Sequence, residues 1–321
     1  MPSASAEPRV STVGAGTRLP DGISTQVRVP ASSANLGPGF DCLGVALGIY
    51  DDLEVTATPG PSLVEVSGEG AGSVPTDDTH LVVRALRRGL SSAGVDADGL
   101  HLRCRNSIPH SRGLGSSAAA VVSGLAAASG LLDRAGHGRL SDEVLVQLAG
   151  EFEGHPDNAA ASVLGSAVVT WTVAGDDGVT AYRARRLELH PDIVATAFVP
   201  DTESSTSFTR ALLPDQVPRA DAVFNLSRAA LAVVALTSAP ETLFDATADT
   251  LHQGYRSAAM PETAGLVEAL RHRGRAATVS GAGPTVLLLG TEPVDAELEG
   301  LATDLGFVAH RVEIAHGVQI S

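Results

Sequence analysis

The stretch Ile108-Pro109-His110-Ser111-Arg112-Gly113-Leu114-Gly115-Ser116-Ser117-Ala118 joins an alternating segment to an Ala-rich one. Gly113 and Gly115 allow positive φ and let the backbone approach a ligand with no Cβ in the way. Ser116 and Ser117 are residue types that begin helices, so a helix is expected to start there. Free N–H groups at such a start, backed by the positive end of the helix dipole, can seat an anion such as a phosphate. No Lys occurs among the 22 basic residues, which excludes a Walker-type lysine. The spacing is also not G-x-G-x-x-G with an acid about 20 residues on, as a dinucleotide fold requires. An anion here is left with backbone amides, the two hydroxyls and Arg112.

Other residues could do chemistry. The run from Ala31 to Gly44 carries Asn35 and a lone acid, Asp41, amid apolar neighbours, where a carboxylate needs a partner. Glu151 and Glu153 are two apart, so on a helix they point in different directions and only one readily faces a pocket. Cys42 and Cys104 read as small buried hydrophobes and are too few for a disulfide framework, which fits a reducing cytoplasm.

Hydrophobic periodicity outlines the elements that must position these groups. Strands are expected over 23–29, ended by Pro30, then over 45–58 after a polar loop, and over 63–67 and 100–105. A helix over 79–93 carries His80, read as a surface histidine. A second, almost wholly apolar and therefore buried, spans Ser116 to Leu132, and a third runs from a Ser141 cap to Phe152. Further strands are expected at 165–173, 182–190, 193–199, 276–280, 286–289 and 307–314, and helices at 220–236, 240–252, 261–272 and 293–305.

A length of 321 residues suggests two domains, with a division near 188 and a flexible tail over 1–22 that lacks the apolar core of a secretory signal. A hydrophobic content of 44% with 18% charged residues describes a globular chain. No unbroken apolar run reaches the roughly 18 residues of a membrane span. A formal charge of −15 argues against nucleic-acid and anionic-membrane partners. The sequence leaves the oligomeric state open, with a homodimer one of the options.

The pattern P-x-x-x-G-L-G-S-S-A at 109–118 resembles the central motif of the GHMP kinases. Two further blocks agree: P-A-S-S-A-N-L-G-P-G-F-D-x-L-G from Pro30, in the form homoserine-kinase members carry, and S-G-A-G-P-T at 280–285. P-D-x-x-x-S-T-x-x-x-R-x-x-L-P from Pro200 is similar to a block of the same members. The resemblance implies an α+β fold with a ribosomal-protein-S5-like N-terminal domain over 23–188, a ferredoxin-like C-terminal domain over 189–321, and an active site in the cleft between them. It implies ATP held by residues 109–118 and Mg²⁺ by Ser116 with Glu151, preferred over Glu153. The implied reaction is phosphorylation of the L-homoserine hydroxyl on the route to threonine. Asp41 would take the ammonium and Arg210 and Arg256 the carboxylate, the guanidinium fork matching it bidentately. Asn35 and Thr206 would also face the substrate. Asn158 would orient the hydroxyl, and Asn158 and Arg210 would be the catalytic residues. Another small-alcohol kinase, mevalonate-like, and a catalytically silent ligand-binding member are the alternatives.

Overall fold

The structure, a computed structural model, describes residues 17–175 and 178–321; residues 1–16 of the expected tail lie outside it. In chain order the elements are β1 (Thr17–Arg18), β2 (Ser24–Asn35), β3 (Gly39–Thr58), β4 (Leu63–Gly68), α1 (Leu81–Ser92), β5 (Val95–Asp96), β6 (Gly99–Asn106), α2 (Ser116–Arg134), α3 (Asp142–Glu153), α4 (Asp157–Leu164), β7 (Ala167–Ala174) and β8 (Thr180–Leu187). There follow β9 (Val194–Pro200), α5 (Thr206–Ala211), α6 (Arg219–Thr237), α7 (Leu243–Ala246), α8 (Gln253–Arg256), α9 (Pro261–His272), β10 (Ala276–Val279), β11 (Val286–Gly290), α10 (Ala296–Asp304), β12 (Phe307–Val312) and β13 (Gln319–Ile320).

The first sheet runs β13-β2-β3-β6-β4, with β7 and β8 joined to it through β3. Strand β3 is 20 residues long and serves two neighbours: its first part pairs with β7 at 43–45, its second with β6 at 52–58. The expected loop at 31–44 is largely a β2–β3 hairpin. Register shifts at Pro30/Ala31 and Ala34/Asn35 bend it. Bulges of this kind re-aim side chains at the rim of a sheet. Thr17 and Arg18 pair with β5 and Leu19 is buried, so the end of the expected tail is structured. Helix α2 packs between α1 and β2 and is buried on nearly every side.

The second sheet is antiparallel, in the order β10-β11-β9-β12. Strand β11 is apolar throughout because both faces are covered. Leu287 and Leu289 join the larger core with Ala232 and Leu236 of α6, while Val286 and Leu288 meet Leu266 and Leu270 of α9 in a second cluster. By length and composition α2 and α6 could each cross a membrane. Of these windows 78% is buried inside the protein for α2 and 22% for α6, so α2 is a core helix and α6 lies at the surface.

Two expectations need correction. The helix expected over 240–252 is only a 3-10 turn and α7, ending at Ala246 with α8 starting beyond it, because the Asp249 carboxylate accepts the N–H groups of Leu251, His252 and Gln253 and offers the backbone an alternative to helix. The chain's end also leaves the second sheet: β13 pairs with β2 of the first, and Ile314 and His316 bridge to Leu47 and Gly165.

Candidate active site

Helix α2 starts at Ser116, where the residue types place it, but the cap is Gly115 in the left-handed region, φ 69°, with no side-chain capping bond. Among the described residues nothing accepts the N–H groups of Ser116, Ser117 and Ala118. They stand open at the positive end of a 19-residue helix. The glycines make room for protein rather than for ligand. A Cβ at Gly113 would sit 2.4 Å from the Ser280 carbonyl oxygen, and one at Gly115 2.2 Å from Ser32 Oγ and 3.1 Å from Asn158 Oδ1. The Ser280 hydroxyl donates to the Gly113 carbonyl at 2.6 Å and lies 2.8 Å from Ser33 Oγ. The three sequence blocks are thus bonded to one another.

Two cavities meet at Ser111, Ser116 and Ser117. The first, about 240 Å³, is lined largely by apolar side chains such as Leu53, Val74, Leu81 and Ala120, with Asp51 and His80 among them. His80 is a buried N-cap, not a surface residue: Nδ1 accepts from Val82 N at 3.2 Å, and burial, with the nearby His110, pushes its pKa down. Asp51 is buried too and accepts Ser107 N at 2.7 Å and Ile108 N at 3.0 Å, anchoring the turn into the glycine loop. Burial holds its pKa above the ordinary carboxylate value despite those two bonds.

The second cavity, about 470 Å³, is polar and is lined by Asn35, Asp41, Glu153, His155, Asn158, Arg210 and Arg256 beside the helix start. Asp41 and Arg210 form a bidentate pair at 2.8 and 2.9 Å, which pushes the Arg210 pKa up. Arg256 is buried and donates to the Thr209 and Gly281 carbonyls and to His252 Nδ1. Burial, then the charge of Arg210, lowers its pKa to about 10, so it stays cationic at neutral pH. Ser32 Oγ donates to Asn158 Oδ1 at 3.1 Å, which leaves the amide nitrogen of Asn158 as its donating end toward the cavity. His155 Nδ1 lies 2.9 Å from Asp157 Oδ1, and that bond raises the His155 pKa above its ordinary value.

The family model "GHMP kinases N terminal domain" matches residues 80–166 and "GHMP kinases C terminal" matches 232–301. A homoserine kinase of Rhodococcus erythropolis is 57% identical over 309 residues, covering 94% of this chain and 98% of its relative. The chain belongs to the GHMP kinases, in their homoserine kinase group. A second homoserine kinase, from Mycolicibacterium vanbaalenii, is 56% identical over 301 residues, 94% of this chain and 96% of that one. The crystal structure of homoserine kinase from Cytophaga hutchinsonii superposes with a TM-score of 0.79 at 24% identity, over 93% of this chain and 98% of that one, and shows the same GHMP kinase fold.

Within this GHMP kinase several expected placements change. Glu151 points away from both cavities and pairs with Arg88 at 2.8 Å and Gln147 at 3.2 Å. Glu153 is the one on the cavity wall, accepting from Ser117 Oγ at 2.8 Å. The divergence of residues two apart on a helix is the cause, and the sequence could not say which one faced inward. Arg112 does not face the anion seat: it clamps the carbonyls of His110, Pro200 and Asp201 at 2.9, 3.0 and 2.9 Å. Pro109, Arg112 and Leu114 line neither cavity, and Leu114 is fully buried. Asn35 spends both ends of its amide on protein, donating to the Gly281 carbonyl at 2.8 Å and accepting Asp41 N at 3.0 Å. It positions Asp41 more than it meets a ligand. The side chain of Thr206 lies outside the described residues. His155 is a cavity residue that its type and neighbours alone do not single out, the His155-x-Asp157 spacing being the one signal in the sequence.

Proposed function

We propose that the chain uses ATP to phosphorylate the side-chain hydroxyl of L-homoserine, giving O-phospho-L-homoserine. The observation that carries this reading is the Asp41–Arg210 pair in the same cavity as the open start of α2. A zwitterion replaces such a pair with no net change of charge. Its ammonium meets Asp41, and its carboxylate meets Arg210 and the Arg256 guanidinium. A carboxylate without an ammonium, as in mevalonate, leaves Asp41 without its partner, a cost in a half-buried site.

The apolar cavity takes the nucleoside, and the open amides of Ser116, Ser117 and Ala118 receive phosphate oxygens. Asn158 donates its amide N–H to the substrate hydroxyl oxygen and so holds that oxygen toward the helix start. An amide cannot take the hydroxyl proton. Phosphoryl transfer tolerates this because its loose transition state depends on positioning and charge neutralisation. The proton then leaves late, to phosphate or water.

Ser117 and Glu153 offer two hard oxygen donors on the cavity wall, a set that suits Mg²⁺. They would hold the ion, which when bound supplies positive charge against the phosphate oxygens. We place the chain in a reducing cytoplasm, with which the two unpaired thiols, Cys42 and Cys104, are compatible.

The test is ATP consumption by the purified protein across amino-acid alcohols, mevalonate and galactose. L-Homoserine should be the substrate used best. Turnover of mevalonate or galactose with none of homoserine overturns the reading.

A further inference from the structure

His252 has no place in the mechanism so far, yet it is completely buried beside the amino-acid half of the cleft. Its two ring nitrogens have different partners, and the partners dictate the tautomer. Nε2 lies 2.7 Å from the Gly37 carbonyl oxygen, which can only accept, so Nε2 carries the proton. Nδ1 lies 3.1 Å from Arg256 Nη1, which can only donate, so Nδ1 is bare. One neutral imidazole therefore ties the turn between β2 and β3, which leads into Asp41, to the guanidinium of Arg256.

Neighbouring groups hold the ring in that role. Asp249 fixes its backbone by accepting His252 N at 3.0 Å and Gln253 N at 2.8 Å. Phe40 lies against it with ring centroids 5.3 Å apart, and the guanidinium carbons of Arg210 and Arg256 lie 5.3 and 5.5 Å from the Phe40 centroid. The geometry points to His252 as the positioning residue of the amino-acid subsite, joining loop and arginine through the two nitrogens of one neutral ring.

The inference rests on the homoserine reading of the cleft and adds a dependence on pH. The charged groups that face the ring are Asp249, whose Oδ2 is 3.7 Å from Nε2, Arg256, and more distantly Asp41; Arg210 lies across Phe40. Burial and the charge of Arg256 favour the neutral ring, and Asp249 and Asp41 oppose them. Once protonated, Nδ1–H would confront the N–H groups of Arg256, and the arginine would lose its anchor. With the pKa below the ordinary 6.5, the arrangement is complete above that value and is lost as pH falls through the folded-state pKa.

The experiment is steady-state kinetics of the full chain from pH 5 to 8, with wild type, His252→Gln and His252→Ala. His252→Ala should raise KM for L-homoserine about tenfold or more while KM for ATP stays within about twofold. His252→Gln offers an amide N–H to Gly37 and an oxygen to Arg256. It should recover most of the loss and lack the acid-side rise in homoserine KM that wild type shows. If His252→Ala does not fold, the wild-type and His252→Gln profiles decide alone. An unchanged homoserine KM in His252→Ala, an equal rise in both KM values, or an acid-side rise retained in His252→Gln overturns the inference and leaves the substrate reading standing. Wild type that ignores L-homoserine overturns both.

Discussion

The two cavities that share Ser116 and Ser117 are built in opposite ways. The apolar one draws all its walls from residues 51–123, on strands, helices and the turns between them around the first sheet. Two of its buried polar side chains are committed to the backbone, His80 capping α1 and Asp51 holding the turn at Ser107 and Ile108. The polar one gathers residues from 34 to 282, and two pairs of its ionisable side chains face each other, Asp41 with Arg210 and His155 with Asp157. A pocket that recognises by shape can be assembled from one local unit. One that must oppose both ends of a zwitterion needs carboxylate and guanidinium on separate elements, so that they can part when the ligand arrives.

The largest effect should come where the two regions touch. Gly115→Ala puts a Cβ 2.2 Å from Ser32 Oγ at φ 69°. Strain of about 1–2 kcal/mol plus the displaced Ser32 and Asn158 should lower kcat by about 100-fold or more. Near wild-type turnover would show that the helix start is not where the two halves meet.

Next in size is the carboxylate pair on α3. Glu153→Gln should lower kcat by about tenfold or more with a raised Mg²⁺ requirement, while Glu151→Gln, which breaks a surface pair with Arg88, should stay within about twofold. The reverse order in a magnesium titration would return the metal role to Glu151.

A matched pair sharpens the division itself. Arg210→Lys loses the bidentate fork and should raise KM for homoserine about tenfold with ATP unaffected. Ala120→Leu narrows the apolar cavity and should raise KM for ATP several-fold with homoserine unaffected. If each variant moves both constants equally, the cavities are not separate subsites.

The smallest effect concerns the His155–Asp157 pair. Since the bond raises the folded-state pKa of His155, its contribution to stability is complete below 6.5 and fades as pH rises through that folded pKa. Denaturant titrations of wild type and His155→Gln should therefore differ most in mild acid and converge in mild alkali. A gap that is constant with pH would show that the pair is not a titrating contact.

Much of this molecule was legible in residue order. The glycine loop feeding a buried helix and most strands and long helices follow from periodicity and from what Gly, Ser and Pro do to a backbone, whereas Asn35, Asp41 and Asn158 were singled out as site residues by the resemblance to the GHMP kinases. Where side chains are spent was not legible, because a partner far away in the chain decides it. Arg112 went to the carbonyls at 200 and 201, Asn35 to Gly281, and His80 inward as a cap. Which of Glu151 and Glu153 faces the cavity was settled only when α1 brought Arg88 beside one and α2 brought Ser117 beside the other. Residue types and spacing therefore determined which chemistry this chain holds. The tertiary structure decided which atoms remain available for it, since a hydrogen-bonding group already satisfied within the protein has little left to offer a ligand.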